Sequence, residues 1–585
     1  MTNPAANNLK TRLLSQLRNH TLLESSLFLL LMSVQILIFL YLIVQHRIPE
    51  GSDGFHHFCL QYYFLDNAVN TGEIPLWMPF MTHGTTATWW YAVQGVAGIF
   101  PNALFHIAGL IKEVNFVIIY YLGMFLDELL LLVGVWLLAR RYFTSPFTIL
   151  FVAICIMGSS GWMAQPYFNL YFYYAIPLIL YFLHLFIEKG KWRYLFLAGN
   201  LFIMQTIGNN AYQIPVASLV IFLYFLFYFI FSNTTQPLSR QIKQIRWGWP
   251  SFLCLSSLSI LFFMYYSLLH IGTENIVNLN YGRDANSVSL NVFLTYAGNT
   301  GLAKWLELFL RVSPAADYTL YIGLLTIPLI LVGGIIHLRM KGANPYYLCL
   351  LCLTVVILLF SMATFVSVFF YYCWPLMKFF RHLALVSPLV KVFLCFLAGF
   401  GFETLFLNGP HTMRREIYIG ILALIAILLM ELSVGLFRLA GDFHASSSFV
   451  SSLVNFASLR LIMKTFYQNI LPFRLMEAST IAAAAGLLFG FLVFINLKKY
   501  RMYIIYFALG LQLVDIYGYK LSEIGMRTAP LNREQYRLTA FQPFFYQKTR
   551  QTTYLNNPRT SILNALFPDQ VGLYWSSFYS FIFED

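Results

Sequence analysis

The chain has 585 residues, of which 59% are hydrophobic and only 10% charged, and its mean hydropathy is +0.67. Because a soluble globular protein is about 25% charged, this composition excludes an ordinary soluble domain and indicates a polytopic membrane protein. The formal net charge of +13 would suggest a nucleic-acid partner, but the distribution of that charge, described below, argues against one.

Apolar windows long enough to cross a bilayer recur along the chain, each near the 20 or so residues that a transmembrane helix needs. The first window follows a basic N-terminus and lacks a clear cleavage site, so we expect it to remain as a helix. The sequence predicts thirteen spans, near 26–45, 115–139, 147–163, 169–187, 194–211, 213–232, 249–271, 318–338, 346–366, 383–405, 417–437, 479–497 and 502–521.

Lysines and arginines predict the orientation of this bundle. With the N-terminus in the cytoplasm, the inside segments carry 18 basic residues in 73 positions, and the four long outside segments carry 11 in 172. The inside segments are 1–25, 140–146, 188–193, 233–247, 339–345, 408–416 and 498–501; the outside segments are 46–114, 272–317, 367–382 and 438–478. Basic residues concentrate on the cytoplasmic side of membrane proteins, so the positive charge reports orientation, not nucleic-acid binding.

The predicted fold is therefore an all-α polytopic membrane bundle with long extracytoplasmic loops. It has a cytoplasmic N-terminus (1–25), a membrane domain (26–521) and a small extracytoplasmic tail (522–585). Since function concentrates in loops, we expect it on the extracytoplasmic side. The chain has no Walker A loop, GxGxxG or GxSxG motif, which disfavours ATP-driven transport and hydrolase chemistry.

The first predicted outer loop begins with an unusually polar stretch, "GSDGFHHFCLQYYFLDNAVNTGEIPLWMPFMTHGTT" (51–86). Gly51 and Gly54 bracket Asp53 and allow a tight turn just past the first span, which puts a carboxylate at the membrane–water boundary. A carboxylate there can act as a general base toward an acceptor hydroxyl. The alternative is that Asp53 caps the helix that follows.

This loop resembles that of a known family. An acid soon after the first helix is followed by a G-x-x-P-x-W-x-P turn, a glycine and a Q-G…P-N segment; here these are Asp53, Gly72, Pro75, Trp77, Pro79, Gly84, Gln94, Gly95, Pro101 and Asn102. The pattern resembles GT-C-fold glycosyltransferases, most closely the bacterial YfhO-like membrane proteins. The stretches "YTLYIGLLTIPLILVGG" (318–334) and "FFRHLALVSPLVKVFLCFLAGFGFE" (379–403) are similar to later helices of that family.

The resemblance implies a GT-C-like bundle in a bacterial cytoplasmic membrane, a polyprenyl-phosphate sugar donor and inverting transfer to an extracytoplasmic lipid, glycan or protein. It implies Asp53 as the base, with the loop shaped by Gly72, Pro75, Trp77, Pro79 and Gln94. Two departures are Met78, where the family often has Asn, and the short tail, where it often has a larger outer domain.

Basic and imidazole side chains of the outer segments are candidates for holding the donor phosphate. Arg381 and Lys378 lie at the outer end of a predicted helix, although a cation there often only reaches toward headgroups. Arg283 in "LNYGRDANSVSLN" is a further candidate, although it can equally pair with Asp284.

His56 and His57 share a helical face with Asp53 and could bind phosphate. With that carboxylate they could instead hold a divalent metal, Mg²⁺ or Mn²⁺, although one carboxylate is weak support for a metal and no metal ligand set is predicted. Glu73 and Asp284 are candidate second acids.

Asp127 and Glu128 lie in the middle of an apolar span, "YLGMFLDELLLLVGVWLL". Charges at that depth are costly and usually functional, and the expected partners are Lys391 or a neutralising proton. They support a rival hypothesis, a transporter or flippase of a lipid-linked saccharide. A third hypothesis is a non-catalytic partner in envelope polysaccharide assembly, in which neither Asp53 nor Asp127 is needed.

Overall fold

The structure is a computed structural model of the whole chain. It describes residues 4–49, 58, 65, 69, 77–78, 85–86, 101–111, 116–159, 173–206, 210–232, 288–295, 300–301, 305, 308, 320–339, 344–380, 382–407, 419–420, 422–427 and 501–530. The statements below concern these residues.

The described part is mostly helical. Its helices are α1 (Pro4–Val44), α2 (Pro101–Ile111), α3 (Phe116–Tyr142), α4 (Pro146–Gly158), α5 (Ile176–Lys189), α6 (Trp192–Thr206), α7 (Asn210–Phe231), α8 (Leu290–Thr295), α9 (Thr326–Arg339), α10 (Pro345–Ser361), α11 (Phe365–Cys373), α12 (Ser387–Leu407) and α13 (Arg501–Arg527). Short 3₁₀ turns cover Met377–Phe379 and Leu383–Val386, and the strands are β1 (Arg47–Pro49), β2 (Trp77–Met78), β3 (Thr85–Thr86) and β4 (Thr528–Pro530).

Several helices are long and apolar enough to cross a bilayer, so the chain has the character of a multi-pass membrane protein in a lipid environment. Four qualify singly among the described residues, and α10 with α11 makes a fifth if that bent pair is one span. The four are Leu22–Val44, Phe116–Tyr142, Ile214–Phe231 and Leu383–Phe406. Predicted spans 249–271 and 479–497, and most of 417–437, lie outside the described residues.

Helix α12 is the centre of the bundle. Its membrane-crossing window is 94% buried, as expected for a helix that is apolar on every side. Two glycines let α9 approach it closely: a Cβ at Gly333 would lie 2.9 Å from the backbone of Gly401, and a Cβ at Gly401 would collide with the Leu329 carbonyl. Small residues at such crossings allow the backbones of membrane helices to pack in contact.

Helices α4, α5 and α9 are shorter than the spans predicted for them. They have 13, 14 and 14 residues, or about 20 Å of helix, whereas the hydrocarbon core is about 30 Å thick. Ser145 caps the start of α4 by accepting a hydrogen bond from the Phe147 amide, and Gly190 ends α5 in the left-handed conformation. In the predicted spans 169–187 and 318–338, residues 173–175 and 320–325 lie outside the α-helix. Residues 160–163, 169–172 and 318–319 lie outside the described residues, so the full lengths of these spans stay predictions.

Strands β1 and β4 join the ends of the first and last described helices. They pair antiparallel, with Ile48 opposite Ala529. Arg47 Nε donates to Thr528 Oγ1 at 2.7 Å, and Tyr121 at the start of α3 donates to the Arg47 carbonyl at 2.9 Å. Helices α1 and α13 therefore end at the same end of the bundle, called the β1–β4 end below.

The opposite end carries polar contacts between helix termini. Arg140 at the end of α3 pairs with Glu24 at 2.8 Å, and Arg141 pairs with Glu188 near the end of α5. Glu403 accepts hydrogen bonds from the amide and hydroxyl of Thr144 at 2.9 and 2.5 Å. These contacts tie α1, α3, α5 and α12 together at that end.

Candidate functional site

Helix α13 carries a buried polar stripe. Gln512, Asp515 and Lys520 are each at most 1% exposed. At 100° per residue the three side chains lie within about 140° of one another around the helix, so one side of α13 presents an amide, a carboxylate and an ammonium to the bundle interior. Their contacts, described next, define the polar layer of this protein: Gln35, Glu128, Tyr321, Gln512, Asp515 and Lys520.

Lys520 is the cationic centre of the polar layer. Its Nζ lies 3.1 and 3.2 Å from the two carboxylate oxygens of Glu128, 3.3 Å from Gln35 Oε1 and 3.0 Å from the Met157 carbonyl. An ammonium has three N–H donors, and three residues from α1, α3 and α4 accept them. Gln35 also donates to the hydroxyl of Tyr517. A fully buried ion pair of this kind persists only when such hydrogen bonds complete it.

The Met157 carbonyl belongs to the last turn of α4, where helical carbonyls lack intrahelical partners. A cation at a helix C-terminus also interacts favourably with the helix dipole. Gly158, the last residue of α4, packs against Ile516 and Tyr517 of α13, which lie eleven and ten positions before the last residue of that helix. Helix α4 therefore ends about 15 Å inside the β1–β4 end of the bundle.

Asp515 and Gln512 cap the start of α9. The Asp515 carboxylate accepts hydrogen bonds from Tyr321 Oη at 2.8 and 2.9 Å and from the Leu324 amide at 2.9 Å. The Gln512 side chain accepts from the Leu325 amide at 3.3 Å. An acid at a helix N-terminus satisfies free amides and complements the dipole. Asp515 lies twelve residues before the end of α13, so α9 begins about 18 Å inside the β1–β4 end.

Gly323 fixes the turn into α9. Its φ is +93°, and a Cβ there would collide with the Gln512 amide group. The same amide donates to the Ile322 carbonyl at 3.2 Å. The turn and the capping residue therefore depend on each other.

Asp127 is completely buried beside this network. Within the part of the chain that the structure describes, neither of its carboxylate oxygens has a hydrogen-bond partner. Glu128, the neighbouring acid, is paired with Lys520 and not with Lys391, the partner that the sequence suggested. A buried polar group with no partner calls for a water, a proton or a ligand.

Most of the predicted site residues lie outside the described residues, so the structure neither brings them together nor separates them. They are Asp53, His56, His57, Gly72, Glu73, Pro75, Pro79, Gln94, Arg283, Asp284 and Arg381. Trp77 is described in its backbone alone, as strand β2 opposite Thr86. The described residues contain no group of three or more side chains suited to a metal ion.

Lys378 is the one predicted phosphate ligand whose side chain is described. It is exposed in the turn after α11, and its Nζ lies 6.0 and 5.9 Å from the ring centres of Tyr371 and Tyr372. Its carbonyl accepts a hydrogen bond from the Val288 amide at 2.7 Å, which holds this part of the second long outer segment (272–317) beside it.

Gln512 and Lys520 were not identified from the sequence as candidate functional residues. The signal was present: "LQLVDIYGYKLSE" places the three polar residues at i, i+3 and i+8 in an otherwise apolar helix, which is one helix side.

Comparisons of the chain with protein-family models, with curated proteins and with solved structures found no match.

Proposed function

We propose that this protein is an integral-membrane glycosyltransferase. It transfers a sugar from a polyprenyl-phosphate donor to an acceptor at the β1–β4 end of the bundle, with Asp53 as the general base. The proposal rests on the resemblance of the first loop to YfhO-like GT-C glycosyltransferases and on one structural observation. That observation is that α4 ends about 15 Å, and α9 begins about 18 Å, inside the end of the bundle at which the first loop begins.

The polar layer lies where α4 ends and α9 begins, and its hydrogen bonds join α1, α3, α4, α9 and α13 into a rigid floor for the proposed site. In this proposal the first loop lies above that floor and the donor sugar binds between them. Catalytic groups act best when a supporting layer fixes them in place.

The first loop is anchored close to the residue assigned as base. Strand β1 ends at Pro49, and β4 holds it in place. Asp53 follows four residues later, and four residues span at most about 14 Å. In this proposal the base is accordingly assigned to the end of the bundle at which α1 and α13 end.

The proposed reaction is a single displacement at the anomeric carbon. Asp53 takes the proton of an acceptor hydroxyl as its oxygen bonds to that carbon. The bond from the anomeric carbon to the phosphate oxygen breaks, and polyprenyl phosphate leaves with the electron pair. The configuration inverts. Arg381 and Arg283 are proposed to hold the charge of the leaving phosphate, as cations do in phosphate-transfer sites.

A second candidate function is transport of a lipid-linked saccharide. The observation in its favour is Asp127, a buried carboxylate with no hydrogen-bond partner among the described residues. Transporters use buried acids of this kind in ion and proton sites. In this alternative Asp127 carries the coupling proton and Asp53 is dispensable.

The test of the proposal is sugar transfer in membranes containing the protein, with a panel of radiolabelled polyprenyl-phosphate sugars. Asp53→Asn is compared with wild type at matched expression, and Asp66→Asn in the same loop is the control carboxylate. Loss of a general base costs about 10²–10⁴-fold in rate, so label should leave the lipid in wild type and in Asp66→Asn but not in Asp53→Asn. Equal transfer in all three proteins would remove Asp53 as the base.

A further inference from the structure

Helix α11 lies across the direction of the membrane-spanning helices. Helix α10 ends at Ser361, and the chain then bends by 91° into α11. Since α10 is apolar and runs along the bundle, a helix perpendicular to it lies in the plane of the membrane surface. An in-plane helix with one apolar face is the usual form of an interfacial helix.

The bend is held by specific hydrogen bonds. Ala363 has a φ of +57°. The Thr364 hydroxyl accepts from the Val366 amide at 3.3 Å, capping α11, and donates to the Leu359 carbonyl at 2.8 Å. Ser367 donates to the Phe360 carbonyl at 2.6 Å. Two hydroxyls at the start of α11 therefore satisfy carbonyls at the end of α10, which fixes the position of α11.

One face of α11 is aromatic and exposed. Phe365, Phe369 and Tyr372 are 78%, 58% and 62% exposed, and their spacing of i, i+4 and i+7 places them on one side of the helix. The opposite side is buried and includes Phe370 and Tyr371. Aromatic side chains are enriched where the hydrocarbon meets the headgroups.

This aromatic face continues a lipid-facing stripe of α7. Trp374, just after α11, donates from its indole to the Pro215 carbonyl at 2.9 Å and packs 5.2 Å from the ring of Phe222. Phe222, Leu226 and Ile230 are exposed at successive turns of a helix that qualifies as a membrane span. The exposed face of α11 therefore borders the hydrocarbon of the bilayer.

A positive charge stands at the end of this face. Lys378 is exposed and close to the rings of Tyr371 and Tyr372. Segment 365–382 contains no Asp or Glu, so its local charge is positive. A lysine at the membrane surface attracts anionic lipid headgroups.

We infer that α11, Trp374 and Lys378 form an interfacial site for an anionic phospholipid of the surrounding leaflet. The acyl chains lie along Phe365, Phe369 and Tyr372, and the ammonium of Lys378 binds the lipid phosphate. This site does not depend on the proposed sugar transfer. In this site, the α10–α11 bend holds the exposed aromatic side chains of α11 at the level of the lipid headgroups.

Cys373 provides a reporter on α11, because its thiol is free and exposed. A fluorophore is attached to Cys373 in the full-length protein, and a Cys373→Ser sample measures labelling of other thiols. The protein is placed in nanodiscs, and quenching by nitroxide-bearing phosphatidylglycerol is compared with quenching by phosphatidylcholine carrying the same nitroxide. The matched variants are Lys378→Gln and Lys189→Gln, since Lys189 is also an exposed lysine close to a tyrosine, 5.7 Å from Tyr194.

Wild type and Lys189→Gln should prefer the phosphatidylglycerol quencher by about fivefold, and Lys378→Gln should lose that preference. Equal quenching by the two lipids in wild type, or a preference retained in Lys378→Gln, would overturn the site. Absence of quenching by either lipid would show that α11 is covered by something other than bilayer. If unlabelled polyprenyl phosphate abolishes the preference and unlabelled phosphatidylglycerol does not, the site belongs to the donor lipid and the phospholipid assignment fails.

Discussion

Lys520 lies where α1, α3 and α4 meet α13, and all three N–H donors of its ammonium group are used there. Glu128, Gln35 and the Met157 carbonyl accept them, and the ammonium is completely buried. In a low-dielectric interior, removing one partner of such a pair strongly destabilises the protein, because the other charge stays buried and uncompensated.

We predict that Lys520→Met lowers the free energy of unfolding by about 3–5 kcal/mol, because it leaves Glu128 buried without a partner. Thermal unfolding of the purified protein in detergent would measure this as a lower midpoint. Arg140→Gln is the control: this arginine pairs with Glu24 but its side chain is 50% exposed, so the expected loss is below about 1 kcal/mol.

The double variant Glu128→Gln with Lys520→Met should recover much of the stability lost in Lys520→Met alone, since both buried charges are then absent. A double variant no more stable than Lys520→Met would show that the ammonium acts mainly through the Met157 carbonyl and Gln35.

Asp127 differs from Glu128 in having no hydrogen-bond partner within the described structure. We predict that Asp127→Asn, which keeps the shape and removes the charge, changes sugar transfer by less than about threefold, below about 0.7 kcal/mol of activation free energy. Transfer rates in membranes at matched expression would measure this. A loss of tenfold or more would assign Asp127 to the working site and favour the transport hypothesis.

At the scale of elements, α13 is the helix that organises the interrupted ones. Its lysine binds the end of α4, and Asp515 and Gln512 cap the start of α9. An interrupted helix in a bilayer must satisfy its free amides and carbonyls inside the protein, because lipid offers no hydrogen bonds. The polar stripe of α13 meets that requirement for both helices.

Gly323 gives this element-level argument a direct test. We predict that Gly323→Ala destabilises the protein by about 1–3 kcal/mol, because φ is +93° and the new Cβ would displace the Gln512 amide from its cap. Thermal unfolding would report the loss. The control is Gly510→Ala, in the interior of α13 with no neighbouring atom within 4 Å, which should stabilise the protein by about 0.5–1 kcal/mol. Equal effects at the two glycines would contradict the capping argument.

Hydropathy predicted the positions of these elements better than their lengths. The window 383–405 corresponds to the buried span Leu383–Phe406, and the window 115–139 to α3. The windows over α4, α5 and α9 include residues that are apolar but not helical, and hydropathy does not distinguish the two. "YTLYIGLL" is one such run: Leu324 and Leu325 lie before α9 begins, where Asp515 and Gln512 bind their amides.

At the scale of the whole molecule, the β1–β4 pair requires the first and last helices to end at one face. This agrees with an even number of crossings between Arg47 and Thr528, and twelve of the thirteen predicted spans lie between these two residues. The orientation of that face stays a prediction.

We predict that the β1–β4 end faces away from the cytoplasm, since the basic residues concentrate at the other end. In a variant lacking Cys373, Gln45→Cys should react with a membrane-impermeant maleimide in intact cells, whereas Lys189→Cys should react only after permeabilisation. Both positions are exposed in the structure. The reverse pattern would invert the topology and put Asp53 on the cytoplasmic side.

The candidate site was only partly accessible to sequence reasoning. Asp127 and Glu128 stood out because charges in an apolar span are costly. The partner of Glu128 could not be predicted, because Lys520 is 392 positions away in the chain and hydropathy does not show which helices pack together. Asp53 was identified by a local sequence motif, and such a motif can be recognised without knowing the long-range contacts of the chain.

Sugar transfer with Asp53 as the base is separated from lipid transport by comparing Asp53→Asn with Asp127→Asn. The comparison uses liposomes containing the purified protein and a labelled polyprenyl-phosphate sugar. Two products are followed in one sample: label released from the lipid to an acceptor, and labelled lipid moved between leaflets. If the protein is a glycosyltransferase with Asp53 as its base, Asp53→Asn abolishes label transfer while Asp127→Asn retains it. Movement of the lipid between leaflets that survives Asp53→Asn and is lost in Asp127→Asn, with no label transferred by wild type, would contradict this function.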